Sequence, residues 1–422
     1  MDQTFELLPG VRLRAEQTTR FKTGCFSFSM LRPLRREEAA QNALLANVLM
    51  RGTQVHPDLR SISRMLDNLY GASAGPLVRK NGEIQTCGFF MSFIEDRFAL
   101  EGGPVLEAMV AFLGELLEKP LVENGGFLPD VVAGEQQNLI NMIASDLNDK
   151  RTYADRQLLK LMSAKDPGGV SRLGEIEDVQ AATPQGLYRH FRHILAHSEM
   201  EIFYCGSAEP ERVAGLFRRA LGFLPRLERD AVTIRGFCPT GQAQYKEEAM
   251  DLTQAKLAMG FTTDCTCRDP EYPALVLLNA IFGGGVTSKL FQNVREKLSL
   301  CYYASSVLLS SKGILLVSSG IETDRYEQAK AEILRQLEDC RQGRISQEEL
   351  SAAKSALRSS LQAVPDSQGR MEDFYLYRRM TGFPMTAEAY LQALEAVSAG
   401  QVVQAAQRVR LDSIFFLKGV QA

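Results

Sequence analysis

Three of the four histidines in this 422-residue chain, His190, His193 and His197, stand three and four residues apart, a spacing that can bring imidazoles onto one helical face around a metal ion. Such a site needs the helix to persist through His197. The strand-like run MEIFYCG begins almost at once, so the expectation is that His197 lies in a loop and that the histidines are solvated or locally packed. Ser73 sits in Gly71-Ala72-Ser73-Ala74-Gly75, which fits G-x-S-x-G. A nucleophile elbow turns from a strand into a helix, whereas this segment leaves a helix and enters a strand, so a plain turn is expected. Cys265 and Cys267 form one close pair that would point the same way on a strand, but zinc there would need two more nearby ligands. The eight cysteines lack any C-x-x-C pair and several lie in apolar runs, so they read as reduced core thiols. Gly283-Gly284-Gly285 satisfies neither phosphate-loop pattern and reads as a helix stop and flexible turn.

The elements that position these residues follow from hydrophobic period. TGCFSFSM alternates in twos as a strand does, and from Glu37 to about Arg51 apolar residues recur at helical spacing, with acidic Glu37 and Glu38 at the start and Gly52 at the stop. A second helix near 59–70 leads into the runs GPLVRK and EIQTCGFFMSFI, joined at Asn81-Gly82, a strong hairpin signal. Helical segments are expected near 103–118, 129–163 and 184–196, before MEIFYCG and a helix from about Glu209. The same order then returns: the strand QAKLAMGF, a helix from Glu271 to Phe282, glycines, a helix ending near Lys297, and strands near 301–310 and 313–320. A shift of 232 places Gly52 on Gly284, Tyr70 on Tyr302, Ala72 on Ala304 and Ser73 on Ser305. The chain therefore reads as an α+β tandem duplication of two related halves, each a mostly antiparallel sheet flanked by helices. The halves are expected at 1–224 and 245–422, with an aperiodic linker at 225–244.

Hydrophobic residues make up 45% and charged residues 23%, the balance of a folded globular chain. Lys plus Arg number 48 against 51 for Asp plus Glu, so nothing in the net charge of -3 favours nucleic acid or an anionic membrane as partner. MDQTFELLPG lacks the basic and apolar regions of an export signal, and no run reaches the ~18–20 apolar residues of a membrane helix. A cytoplasmic location is expected.

The segment NALLANVLMRGT resembles the signature helix of pitrilysin and insulinase-type metallopeptidases, relatives of mitochondrial processing peptidase, in which H-x-x-E-H precedes a Gly-Thr pair matched here by Gly52-Thr53. FGGGVTSKLFQNVREKLSLCYYASS is similar to the family's C-terminal signature, and the resemblance extends over nearly the whole chain. It implies the mitochondrial processing peptidase-like metallohydrolase fold. Anchored on Gly52-Thr53, however, the two histidine positions fall on Ala43 and Asn47 and the glutamate position on Ala46. An alanine methyl has no lone pair and an asparagine amide is a poor zinc ligand. The third ligand, a glutamate in the family, aligns near Asn141-Met142; a register error would bring in Glu135 or Asp146, but one carboxylate cannot replace two histidines. By the same resemblance Arg295 and Tyr302 match residues that bind the substrate backbone near the scissile bond, where a guanidinium and a phenol can stabilise a carbonyl oxygen as it becomes negative.

These expectations combine into a catalytically inactive homologue that binds an extended peptide and donates Arg295 and Tyr302 to a two-chain metallopeptidase, with zinc held by the partner and no cofactor in this chain. The segment DKRTYA resembles the YmfF-like group of paired bacterial proteins, linked by name to elongation factor P modification. The alternatives are a self-sufficient hydrolase with an atypical metal site or a Ser73 nucleophile, and a non-catalytic homodimeric scaffold.

Overall fold

The computed structural model describes residues 2–164, 166–239 and 241–420; Met1, Lys165, Thr240, Gln421 and Ala422, which fall in the expected halves and linker, lie outside the described residues. The chain forms two compact units, one of residues 1–144 and 170–233, the other of 145–169 and 234–422.

The first unit carries β1 (Asp2–Leu8), β2 (Val11–Gln17), β3 (Thr23–Pro33), β4 (Ser73–Asn81) and β5 (Ile84–Ile94), a two-residue ladder of β6 (Val122–Glu123) with β7 (Gly126–Phe127), and β8 (Glu199–Gly206). Helices α1 (Arg36–Leu49), α2 (Leu59–Asn68), α3 (Val105–Glu118) and α4 (Pro129–Asn148) precede α5 (Lys150–Met162), and α6 (Ile176–Gln180), α7 (Pro184–His197) and α8 (Pro210–Leu221) follow it; all but α5 and the end of α4 belong to this unit. Its main sheet has the order β1-β2-β8-β3-β5-β4, antiparallel except where β2 meets β8. Alternation along β3 sends Phe26, Phe28 and Met30 to one face, where they join Leu44 and Leu45 of α1, Leu113 of α3 and Phe191 of α7 in a single core. The helical region expected at 129–163 breaks at Asp149, whose carboxylate accepts the amide hydrogens of Arg151 and Thr152 and so begins a new helix.

The second unit repeats the design with β9 (Gln244–Met250), β10 (Ala255–Thr262), α9 (Tyr272–Phe282), a π-helix at Leu290–Lys297, β11 (Cys301–Leu309), β12 (Ile314–Ile321) and β13 (Arg410–Gly419). Its sheet order, β9-β13-β10-β12-β11, matches the first sheet strand for strand once β1 is set aside, down to the single parallel pair β9/β13 in the place of β2/β8. The duplication read from the sequence is thus a duplication of topology. One face of this sheet packs on its own helices through Leu257, Met259, Phe261, Leu278 and Phe282. The other is covered by α5, whose Ala154, Leu158 and Met162 meet Ala258, Leu316 and Phe415. Gly260 makes that possible, because a Cβ there would collide with Met162. Among the described residues no helix is long and apolar enough to cross a membrane.

Candidate functional site

Helix α1 lies deep in the first unit, with Ala43 and Ala46 each 1% exposed. Asn47 turns its amide back on the helix, donating to the Ala43 carbonyl at 3.0 Å. The polar groups on α1 serve the interior rather than a ligand. Fully buried Asn42 donates to Gln85 at 2.8 Å and takes His190 Nε2 on its oxygen at 2.7 Å, while Gln85 in turn donates to the carbonyls of Ala39 and Arg172. Arg32, also fully buried, bridges Glu38 and Asp230 at 2.7 and 2.6 Å. Burial pushes the His190 imidazole down to about 4, which keeps it neutral in this network. Glu135 of α4 is not a free ligand, because Arg51 pairs with it and Asn138 donates to it. Asp146 falls in the other unit. Among the described residues no three His, Cys, Asp or Glu side chains gather where they could hold a metal ion. Two methyls and a self-bonded amide do not fit zinc, so no step of chemistry can be routed through a metal at this helix.

The remaining sequence candidates of this unit resolve simply. Ser73 is exposed at the start of β4, directly after a turn in which Tyr70 and Gly71 both have positive φ. His197 does not lie in a loop: α7, capped by Thr183 and opened by Pro184, runs through His197, and Ser198 alone carries the chain into β8. His190 points inward, whereas His193 and His197 stack on each other with ring centroids 4.5 Å apart.

The second unit presents its candidates differently. Arg295 rides on the π-helix, which is anchored by buried Leu290 and Val294 and by the ion pair of buried Lys289 with Glu349 at 2.8 Å. Its guanidinium lies over the Phe291 ring at 4.6 Å, 3.5 Å from Glu296, and remains 41% exposed. The chain leaves this helix through Ser299 at φ 50 and enters β11. There Cys301 pairs with Ile321 but Tyr303 with Gly320, so Tyr302 is the extra residue of a bulge and stands 64% exposed. Gly283 and Gly284 close α9 by donating to the Asn279 carbonyl at 2.9 and 2.8 Å, and Ser306 of β11 donates to the Gly283 carbonyl at 2.9 Å. The glycine run therefore seats a helix end against a strand, where a Cβ on Gly283 would crowd Ser306.

Two features of this region escape the sequence. The neighbour of Tyr302, Tyr303, packs its ring against Gly320 under the Arg151 guanidinium at 4.6 Å, and Arg151 donates to Ser305 at 2.8 Å. Asp155, one turn further along α5, accepts from Ser318 at 2.5 Å. Arg151 and Asp155 of α5 thus hold β11 just beyond the bulge and its neighbour β12; their i, i+4 spacing is a signal for a shared face, though not for which sheet it meets. Cys265 and Cys267 are buried free thiols, as expected, although they follow the end of β10 rather than lying on a strand, and Cys238 alone among the eight cysteines is exposed.

Comparison with known proteins agrees with this picture. Residues 181–357 match the family described as "Peptidase M16 inactive domain". The chain is 31% identical over 414 residues to the "Probable inactive metalloprotease YmfF" of Bacillus subtilis, covering 98% of this chain and 96% of that protein. Among solved structures, a conserved protein from Enterococcus faecalis is 29% identical with a TM-score of 0.93, over 100% of this chain and 99% of that one. A peptidase M16 inactive domain from Pseudomonas fluorescens, 18% identical with a TM-score of 0.82 over 100% and 98% of the two chains, shares the fold.

Proposed function

The chain belongs to the pitrilysin/insulinase-type (M16) metallopeptidase family as an inactive homologue, and from that premise we propose that it is the peptide-binding subunit of a two-chain metallopeptidase. The partner supplies H-x-x-E-H and zinc; this chain supplies Arg295 and Tyr302. One observation carries the reading: Ala43 and Ala46 are buried methyls and Asn47 donates its amide to its own helix, while Arg295 and Tyr302 remain exposed on irregular backbone. A core helix needs no catalytic groups to persist, but a π-helix and a bulge that hold polar side chains in solvent bring the fold no packing gain. The substrate is an extended peptide. β11 is an outer strand of its sheet, and pairing along a strand edge binds backbone with little demand on sequence. Eight free thiols, seven of them buried, support a reducing cytoplasmic setting.

The test is reconstitution with a family member that carries H-x-x-E-H. The expected result is no cleavage by this chain alone, cleavage by the pair, and a loss in the pair of roughly 10²–10³-fold on Arg295→Ala, with a smaller loss on Tyr302→Phe. Cleavage by the chain alone overturns the proposal, and its disappearance on Ser73→Ala would identify a serine hydrolase instead. Turnover unchanged by both Arg295→Ala and Tyr302→Phe would leave the homodimeric scaffold.

A further inference from the structure

The last turn of α7 carries two imidazoles that the reading above does not use. His193 and His197 are separated by four residues and lie on one face of a helix that continues through both. Their rings stack at 4.5 Å with planes 28° apart, and the His193 side chain is 46% exposed. Nδ1 of His197 is 2.6 Å from the Glu228 carbonyl oxygen, which can only accept. Nδ1 therefore carries the proton and Nε2 keeps its lone pair. A ring nitrogen tied to a backbone carbonyl while the other stays available is the outer support found behind metal-ligating histidines. Beside the pair, the Asp230 carboxylate comes within 3.5 Å of His193 Nε2. Arg32 holds that same oxygen at 2.6 Å, so Asp230 supplies negative charge next to the site rather than a ligand.

We propose that His193 and His197 form a two-imidazole chelate for a late first-row divalent cation such as Zn²⁺, with water filling the remaining positions. Imidazole selects zinc, copper and nickel over magnesium or calcium, which prefer oxygen. His190 takes no part, since its Nε2 is engaged by Asn42 inside the core. The site goes beyond the proposed function and is separate from it, because it lies on α7 and supplies no group to α1 or to the π-helix.

The experiment is calorimetric titration of the untagged full chain with zinc sulfate near neutral pH. One equivalent should bind, His193→Ala and His197→Ala should each weaken binding by roughly tenfold or more, and Cys238→Ser should leave it unchanged. On the natural chain, Ni²⁺ should broaden the NMR ring signals of His193 and His197 and spare those of His190 and His56. No binding at millimolar zinc, binding that survives the double variant His193→Ala/His197→Ala, or binding lost with Cys238→Ser overturns the proposal, as does broadening at the other histidines alone. The double variant should also support cleavage in the reconstituted pair as the natural chain does, which keeps this outcome apart from that of the two-chain test.

Discussion

The α1–α2–β4 segment of the first unit and the α9–π-helix–β11 segment of the second hold the same places in matching sheets, yet they differ in the second helix and in the backbone that enters the outer strand. In the first, α2 is a regular helix opened by a capping box in which Asp58 and Ser61 satisfy each other's backbone amides. Tyr70, at the place that corresponds to Tyr302, accepts the Leu100 amide through its hydroxyl at 3.0 Å. In the second, the equivalent helix lacks a side-chain cap, widens to π geometry and releases the chain through a left-handed serine and a bulge. Both first helices, α1 and α9, are buried. The duplicated frame thus fixes the sheet and the helix against it and leaves the second helix and the entry to the outer strand free to diverge. A polar group gained there stays in solvent without a desolvation cost to the core.

The strongest attempt to break this contrast is to write H-x-x-E-H into α1 at the positions that the family resemblance implies. The triple variant Ala43→His/Ala46→Glu/Asn47→His places larger polar side chains where the two alanines have no space, each at about 1–3 kcal/mol of overpacking and more for unpaired polarity. Loss of the cooperative thermal transition is expected, with no zinc gained at α1; a folded, zinc-bearing variant would show that the closure is incidental. Leu158→Ala, on the helix that crosses into the second unit and is fully buried there, should destabilise by about 2–5 kcal/mol in urea unfolding, with hydrogen exchange raised in β10 and β13 before the first sheet.

The units should also part company with pH, since all four histidines lie in the first. His190 is held at about 4 by burial against an ordinary value of 6.5. As pH falls through 6.5 the unfolded chain binds a proton that the folded chain refuses, so this stabilisation is complete above 6.5 and is lost progressively down to about 4. The full span is about 3 kcal/mol. Urea midpoints measured at stepped pH should show this slope, and His190→Gln should flatten it. The smallest effects belong to the exposed pair: Arg295→Ala and Tyr302→Phe should shift stability by no more than about 0.5 kcal/mol, so that any loss of assembly or turnover in a reconstituted pair reports on recognition rather than folding.

Much of this frame is legible in the residues. The hairpin expected at Asn81-Gly82 forms, although its two-residue loop is Gly82-Glu83, one position later, because Asn81 already pairs with Ile84 and Gly82 takes the positive φ. The return of the first half's element order at a shift of 232 is a true repeat of strand order. Other features were hidden because local pattern does not encode them. A π-helix and an α-helix share apolar spacing over two turns, so Leu290 and Val294 could not reveal the wider coil that carries Arg295. The extent of α7 rested on how few residues separate His197 from β8, and one residue proved enough.

What the sequence determined unaided is what these side chains cannot do: no conformation gives the methyls of Ala43 and Ala46 a lone pair, and that is a covalent fact. Tertiary structure decided everything that depends on which distant groups come together. It turned Asn47 back on its own helix, carried α5 to the far face of the second sheet and left Arg295 and Tyr302 in solvent. Burial is a sum over neighbours remote in the chain, so a residue's identity is local while its accessibility is not.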